Sequence, residues 1–207
     1  MLDILLTGFV ATVITWAQPY AQQHNHPLSV EQTRCLTEAE YFESRGEGPA
    51  GMTAVAYAVL NRTVTRHESI CQVIHERRQF SFYNPHQRKQ VKEAALWINA
   101  TFIAVYAQLG VINNPIGNAT MFTMNKMSSW LDDARYLTKV NHHFFYVMKS
   151  DLGKEILYHR QSTVITSSML HTACLLTDPR CDPLYNRGTE ALLDRRLRQI
   201  LSKETDS

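Results

Sequence analysis

"CLTEAEYFESRGEGPAGMTAVAYAVLNR", residues 35–62, places four glutamates within ten residues, breaks at Gly46, Gly48 and Pro49, and resumes as a run of alanine and valine. Just upstream, Ser29 followed by Gln32 forms the start of a capping box, which predicts a helix from there to about Ser44. Gly46 and Gly48 stop that helix, and Pro49 suits the first turn of a second. Two helices joined by a tight glycine break therefore begin the folded part of the chain.

Helical phase separates the four acids. At about 100° per residue, side chains three, four and seven apart share a face. Glu43 lies four after Ala39 and seven after Leu36, so it projects from the apolar side. Glu38 turns toward the polar face and reads as a solvated charge. Glu40 is intermediate, with Arg45 or an outer residue as its expected partner, and Glu47 falls among glycines, where Arg45 or a backbone amide would pair with it. A carboxyl on a buried face is costly unless it is bonded or used, and burial keeps it protonated nearer neutral pH, as a general acid requires. The plain structural alternative for Glu43 is an ion pair with Arg45 or Arg62.

Beyond this pair of helices, "RKQVKEAALWINATFIAVYAQLG" carries apolar residues at Ala94, Ala95, Ile98, Phe102, Val105 and Leu109, a helical spacing closed by Gly110. Between them, "ESICQVIHERRQFSFYNPHQ" reads as a short helix and irregular chain. After "NNPIGN", the runs "ATMFTM" and "HHFFYV" read as small strands or extended loops, separated by "NKMSSWLDDARYL". The class is mostly α with minor β, an α+β chain. Three parts are expected: a signal or weak anchor segment at 1–22, a catalytic domain at 29–150, and an amphipathic helical extension at 151–207.

The charge balance, 21 Lys and Arg against 19 Asp and Glu, leaves a formal net charge of +2, so no strong field marks a nucleic-acid partner. Residues 4–17 carry no charge, about the length of a signal core and short for a full span, although no basic residue precedes them. The segment reads as an export or anchor element rather than a buried helix, and its Gly, Ala and Thr content also suits a segment that leaves the membrane later. That places the protein in the periplasm or facing the wall. Cys35, Cys71, Cys174 and Cys181 form no CxxC pair, so they read as two disulfides rather than a metal site. Cys174–Cys181 is the easier pair across the short loop "CLLTDPRC", and the pairing stays open. No metal or other cofactor is expected.

With these motifs in view, the stretch at 35–62 resembles the cell wall hydrolases of the SleB-like, spore cortex-lytic type: a Cys-Leu helix, then Tyr-Phe-Glu-x-Arg-Gly-Glu, Gly, Ala-Val-Ala and Val-Leu-Asn-Arg. Cys71 and Val73, "QFSF" at 79–82, "GNAT" at 117–120 and "HFFY" at 143–146 follow in order, so the resemblance spans residues 34–147. It implies a lysozyme-like domain that cleaves the bond between N-acetylmuramic acid and N-acetylglucosamine in peptidoglycan glycan strands, as a lytic transglycosylase or muramidase. The catalytic acid it implies is Glu43, with Arg45 and Glu47 in support. Gln79, Phe80, Ser81 and Phe82 would line a sugar cleft, unless the two phenylalanines are core, and Thr120, His143 and Tyr146 match polar cleft positions. Two departures stand out. "GNATMF" has an inserted Asn and lacks a histidine, and "VNHHFFY" carries Asn141 and His142 where a Gly-Asn pair is commoner.

One acid suffices for a transglycosylase, because the sugar's own C6 hydroxyl closes an anhydro ring, and Asp132 and Asp133 sit in a polar run. The expected role is a monomeric wall-lysing enzyme of endolysin type. A water-using muramidase for wall remodelling is the alternative, as is a non-catalytic wall-binding or virion protein that keeps the fold. A zinc amidase is disfavoured, since no HxxxH or HExxH pattern occurs.

Overall fold

The computed structural model describes residues 2–77, 79–84, 89–124 and 129–154. The expected C-terminal helix, together with Cys174 and Cys181, lies outside the described residues. Five helices come first: α1 (Leu2–Gln23), α2 (Val30–Ser44), α3 (Gly48–Arg66), α4 (Ile70–His75) and α5 (Ala94–Gln108). Three strands follow, β1 (Met121–Thr123), β2 (Ala134–Val140) and β3 (His143–Met148), in the antiparallel order β1-β3-β2. The fold is mostly helical with a minor sheet, as the sequence implied.

Ser29 caps α2 by accepting from the Gln32 amide at 3.4 Å. The box is only half made. The Gln32 side chain instead accepts from the Cys71 amide at 3.0 Å, beside the Cys35–Cys71 disulfide that ties α2 to α4. A cross-link closing a loop of this length stabilises the fold by about 4 kcal/mol in the chain-entropy account. The full reciprocal box forms at Ser69 and Gln72, at the start of α4.

Helix α3 is the centre of the domain, buried almost continuously from Gly51 to Arg62. Ala54, Ala56 and Ala58 let α2 and α5 approach closely, and Leu36, Tyr41, Leu60, Trp97, Ile103 and Tyr106 fill the space between. Helix α5 starts at Ala94, the first apolar residue of its sequence pattern. The Tyr41 hydroxyl accepts from the amides of Lys92 and Glu93 at 3.0 and 3.1 Å and donates to the Glu93 carboxylate at 3.0 Å, which holds that segment extended up to Ala94.

Helix α1 lays Val10, Val13, Ile14, Ala17, Tyr20 and Ala21 onto the domain, with Phe9 edge-on to Phe102 and Thr7 accepting from Arg34 at 2.7 Å. Its other face exposes Ile4 and Trp16, at 77% and 53%. Residues Ile4–Gln23 are also long and apolar enough to cross a membrane by length and composition.

Strand β2 occupies part of the stretch read as a connection. It pairs with β3 across the two-residue turn Asn141-His142, with Asn141 in the left-handed region at φ 49°. Two of the four acids also sit differently. Glu40 is fully buried, because it lies four residues from both Leu36 and Ser44 on the core stripe, and neither carboxyl oxygen has a hydrogen-bond partner among the described residues. Glu38 is half-buried rather than solvated, paired with Arg34 at 3.2 Å beneath α1.

Candidate active site

Glu43 leaves the last turn of α2 just before the chain reverses through Arg45–Glu47 into α3. Its carboxyl is half-buried, and Oε1 has no hydrogen-bond partner among the described residues. Loss of water raises its pKa above the ordinary glutamate value; the charges of His143, Lys89 and Arg62, in that order, oppose the rise. Neither arginine forms the ion pair that would make Glu43 merely structural. Arg45 lies 3.7 Å from the Glu93 carboxylate and over the Tyr41 ring at 5.5 Å. The Arg62 guanidinium donates to the Thr120 carbonyl and to Gln79 Oε1 at 3.2 Å, with the rings of Phe80 and Phe122 at 5.4 and 5.9 Å. Burial lowers the Arg62 pKa to about 10, with Arg66 adding to the effect.

Glu47 takes a different partner from the one its sequence neighbours suggested. Its Oε2 lies 2.9 Å from His143 Nδ1 and its Oε1 3.5 Å from His142 Nδ1, while Asn141 Nδ2 donates to its backbone carbonyl at 2.8 Å. Both members of the closer pair are buried, with side-chain exposures of 7% for Glu47 and 3% for His143. The whole β2–β3 turn thus closes on one glutamate. Gly51 makes room for it: a Cβ there would stand 2.5 Å from Glu47 Cβ and 3.0 Å from its Oε2.

The remaining expected residues fall behind this rim or beside it. Phe80 and Phe82 are core, Phe82 stacked on Phe42 at 5.1 Å and Phe80 facing Arg62. Ser81 is exposed, and Gln79 is half-buried and held by Arg62. Thr120 is buried, its amide donating to the Tyr146 carbonyl at 2.9 Å, and Tyr146 is nearly buried with Trp130 edge-on at 5.4 Å. Asn61 and Arg62 matter more than sequence reasoning allowed. Asn61 Nδ2 donates to the carbonyls of Gly117 and Ala119, both at 2.8 Å, and Arg62 grips the next carbonyl, so one Asn-Arg dipeptide carries the "GNAT" loop. Their signal was a polar pair at the end of an otherwise apolar helix. Among the described residues no cluster of three His, Cys, Asp or Glu side chains could hold a metal ion.

The Glu43 carboxyl is thus half-buried at the end of a helix, with no partner on Oε1 among the described residues and with His143, Lys89 and Arg62 opposing the rise in its pKa. Residues 46–146 match the family model described as Cell Wall Hydrolase. Among solved structures, the catalytic domain of the germination-specific lytic transglycosylase SleB from Bacillus anthracis is similar, at 26% identity, covering 58% of this chain and 97% of that one, with a TM-score of 0.48. No curated protein matches the chain. The matched segment begins just after Glu43, so that residue's role rests on its geometry and on the local motif.

Proposed function

We propose that this protein is a cell wall hydrolase that cleaves the glycan strand of peptidoglycan between N-acetylmuramic acid and N-acetylglucosamine, with Glu43 as its one catalytic acid. The observation that carries the reading is the Glu43 carboxyl itself, half-buried, free of any arginine partner and raised in pKa by desolvation. A protonated carboxyl so placed can give its proton to the glycosidic oxygen as the bond from C1 breaks. In the transglycosylase route the muramic C6 hydroxyl then bonds to C1, and its proton returns to Glu43, leaving a 1,6-anhydro end.

Glu47 is the other carboxylate of the rim, and its two oxygens are engaged by His143 and His142. That occupancy favours the single-acid route over a water-using muramidase. Helix α1 supports action at a membrane, since it presents Ile4 and Trp16 outward while its other face is packed. An exported enzyme of endolysin type fits both features. Digestion of purified peptidoglycan followed by mass spectrometry tests the chemistry. Anhydro-muropeptides are expected from the wild type, and Glu43→Gln should lower their yield by about 10²–10⁴-fold, the usual contribution of a general acid. Reducing ends in place of anhydro ends would reject the transglycosylase route, and full activity of Glu43→Gln would reject the acid.

A further inference from the structure

Between α4 and α5 the chain alternates polar and apolar residues at 79–82, and the two phenylalanines anchor it. Phe82 stacks at 5.1 Å on Phe42, the residue just before Glu43, and Phe80 lies 5.7 Å from Phe82. Both are buried, so this segment is pinned beside the last turn of α2. Gln79 and Ser81 alternate with them, half-buried and exposed.

Gln79 is not free to choose which end of its amide it offers. Arg62 Nη1 donates to Gln79 Oε1 at 3.2 Å. A guanidinium has donors and no acceptor, so only the amide oxygen can face it, and the NH2 group must point elsewhere. Arg62 in turn is held in place: it is buried, its Nε donates to the Thr120 carbonyl, and the rings of Phe80 and Phe122 lie 5.4 and 5.9 Å from its guanidinium carbon. Gln79 Nε2 is left as an oriented donor with no partner among the described residues.

A group that only donates selects an acceptor. An acetamido carbonyl accepts and cannot donate, whereas a sugar hydroxyl does both and is matched by either end of an amide. Removing the acetyl group leaves an ammonium, which has donors only and would set N–H against N–H. We infer that Gln79, locked by Arg62, is a specificity residue that donates to an N-acetyl carbonyl of the bound glycan and so favours acetylated strands over de-N-acetylated ones. The inference rests on the reading of the substrate as a peptidoglycan glycan strand. Arg62 is a positioning residue, acting through the amide it orients.

The test compares initial rates of muropeptide release by the full chain on purified peptidoglycan, on the same material chemically de-N-acetylated, and on that material re-acetylated. Wild type should be slower on the de-N-acetylated wall by about tenfold, the worth of one hydrogen bond, and should recover on re-acetylation. Gln79→Met keeps the length and removes the donor, so its rates on the acetylated and de-N-acetylated walls should agree within about twofold. Gln79→Glu keeps an oxygen for Arg62 and presents a carboxylate to the sugar, so its preference should reverse in favour of the glucosamine ammonium. Either variant suffices if the other does not fold. A purely structural Gln79 would change all the rates together and leave their ratio alone. A wild type that does not discriminate, or folded variants that keep the wild-type ratio, overturns the inference. With Glu43→Gln inactive, such an unmoved ratio rejects the role of Gln79 and leaves the acid standing; no release by wild type from any of the three walls would overturn the glycan-strand reading and the inference with it.

Discussion

Two glutamates three residues apart on α2 show how a single helical step separates the proposed acid from a liability. Glu43 reaches a rim where His143, Lys89 and Arg62 can answer its charge. Glu40, one turn earlier, is fully buried with both oxygens unpartnered among the described residues, and burial pushes its pKa well above the ordinary value. Because the folded state holds that proton more tightly than the unfolded chain, stability is greatest below the unfolded glutamate pKa and falls as pH rises above it. Replacing Glu40 by leucine removes the buried polar group at similar volume, and should stabilise the protein by about 1–3 kcal/mol near pH 8 and by less near pH 5. Thermal unfolding of the two proteins at both pH values checks this; a loss of stability at pH 8 would mean that the carboxyl has a favourable partner. Phase along the helix was enough to turn Glu43 toward the buried side. It was not enough for Glu40, whose depth depends on α3 and α5 closing over it, something a one-helix pattern does not contain.

At the level of elements, the break between α2 and α3 is a packing device as much as a turn. Gly48 adopts φ 66°, which favours glycine, but Gly51 is needed for a different reason, since the Glu47 side chain lies over the place a Cβ would take. Gly51→Ala should push Glu47 away from His143, with a cost of about 1–3 kcal/mol from overpacking. The unfolding midpoint reports the effect, and an alanine variant with the wild-type value would show that the contact of Glu47 with Gly51 is not tight. The glycines were legible as helix stops, and the helices, the small residues of α3 and the end of α5 at Gly110 followed from spacing. The closure of the β2–β3 turn on Glu47 was not legible, because β2 alternates only loosely between exposed and half-buried positions and its register with β3 shifts between Tyr136 and Thr138. Without that strand, nothing in the sequence brings Asn141, His142 and His143 back to Glu47, almost a hundred residues earlier. The tie that holds the chain before α5 was not legible either: the Tyr41 hydroxyl, far off in sequence, takes the amides of Lys92 and Glu93.

For the whole molecule, α1 has two qualifications. It packs Val10, Val13, Ile14, Ala17 and Ala21 into the shared core, and it is apolar enough over Ile4–Gln23 to lie in a bilayer. Both can hold if the packed state is the one that meets the wall and the outward face still engages lipid. Ile4, Leu5 and Trp16 are exposed on that face, and Trp16 sits 6.4 Å from Tyr106 in α5, so it reports on the helix while it stays docked. Mixing the protein with phospholipid vesicles should shift its tryptophan emission to shorter wavelength and carry it upward in a flotation gradient. Trp97 is already buried, so a shift that disappears in Trp16→Phe belongs to α1. The expected energy follows from area: burying the exposed side of a leucine or tryptophan contributes about 1.5–3 kcal/mol each at most, enough for reversible attachment and far below that of a spanning helix. Protein left at the bottom of the gradient, with emission unchanged, would assign α1 to the fold alone.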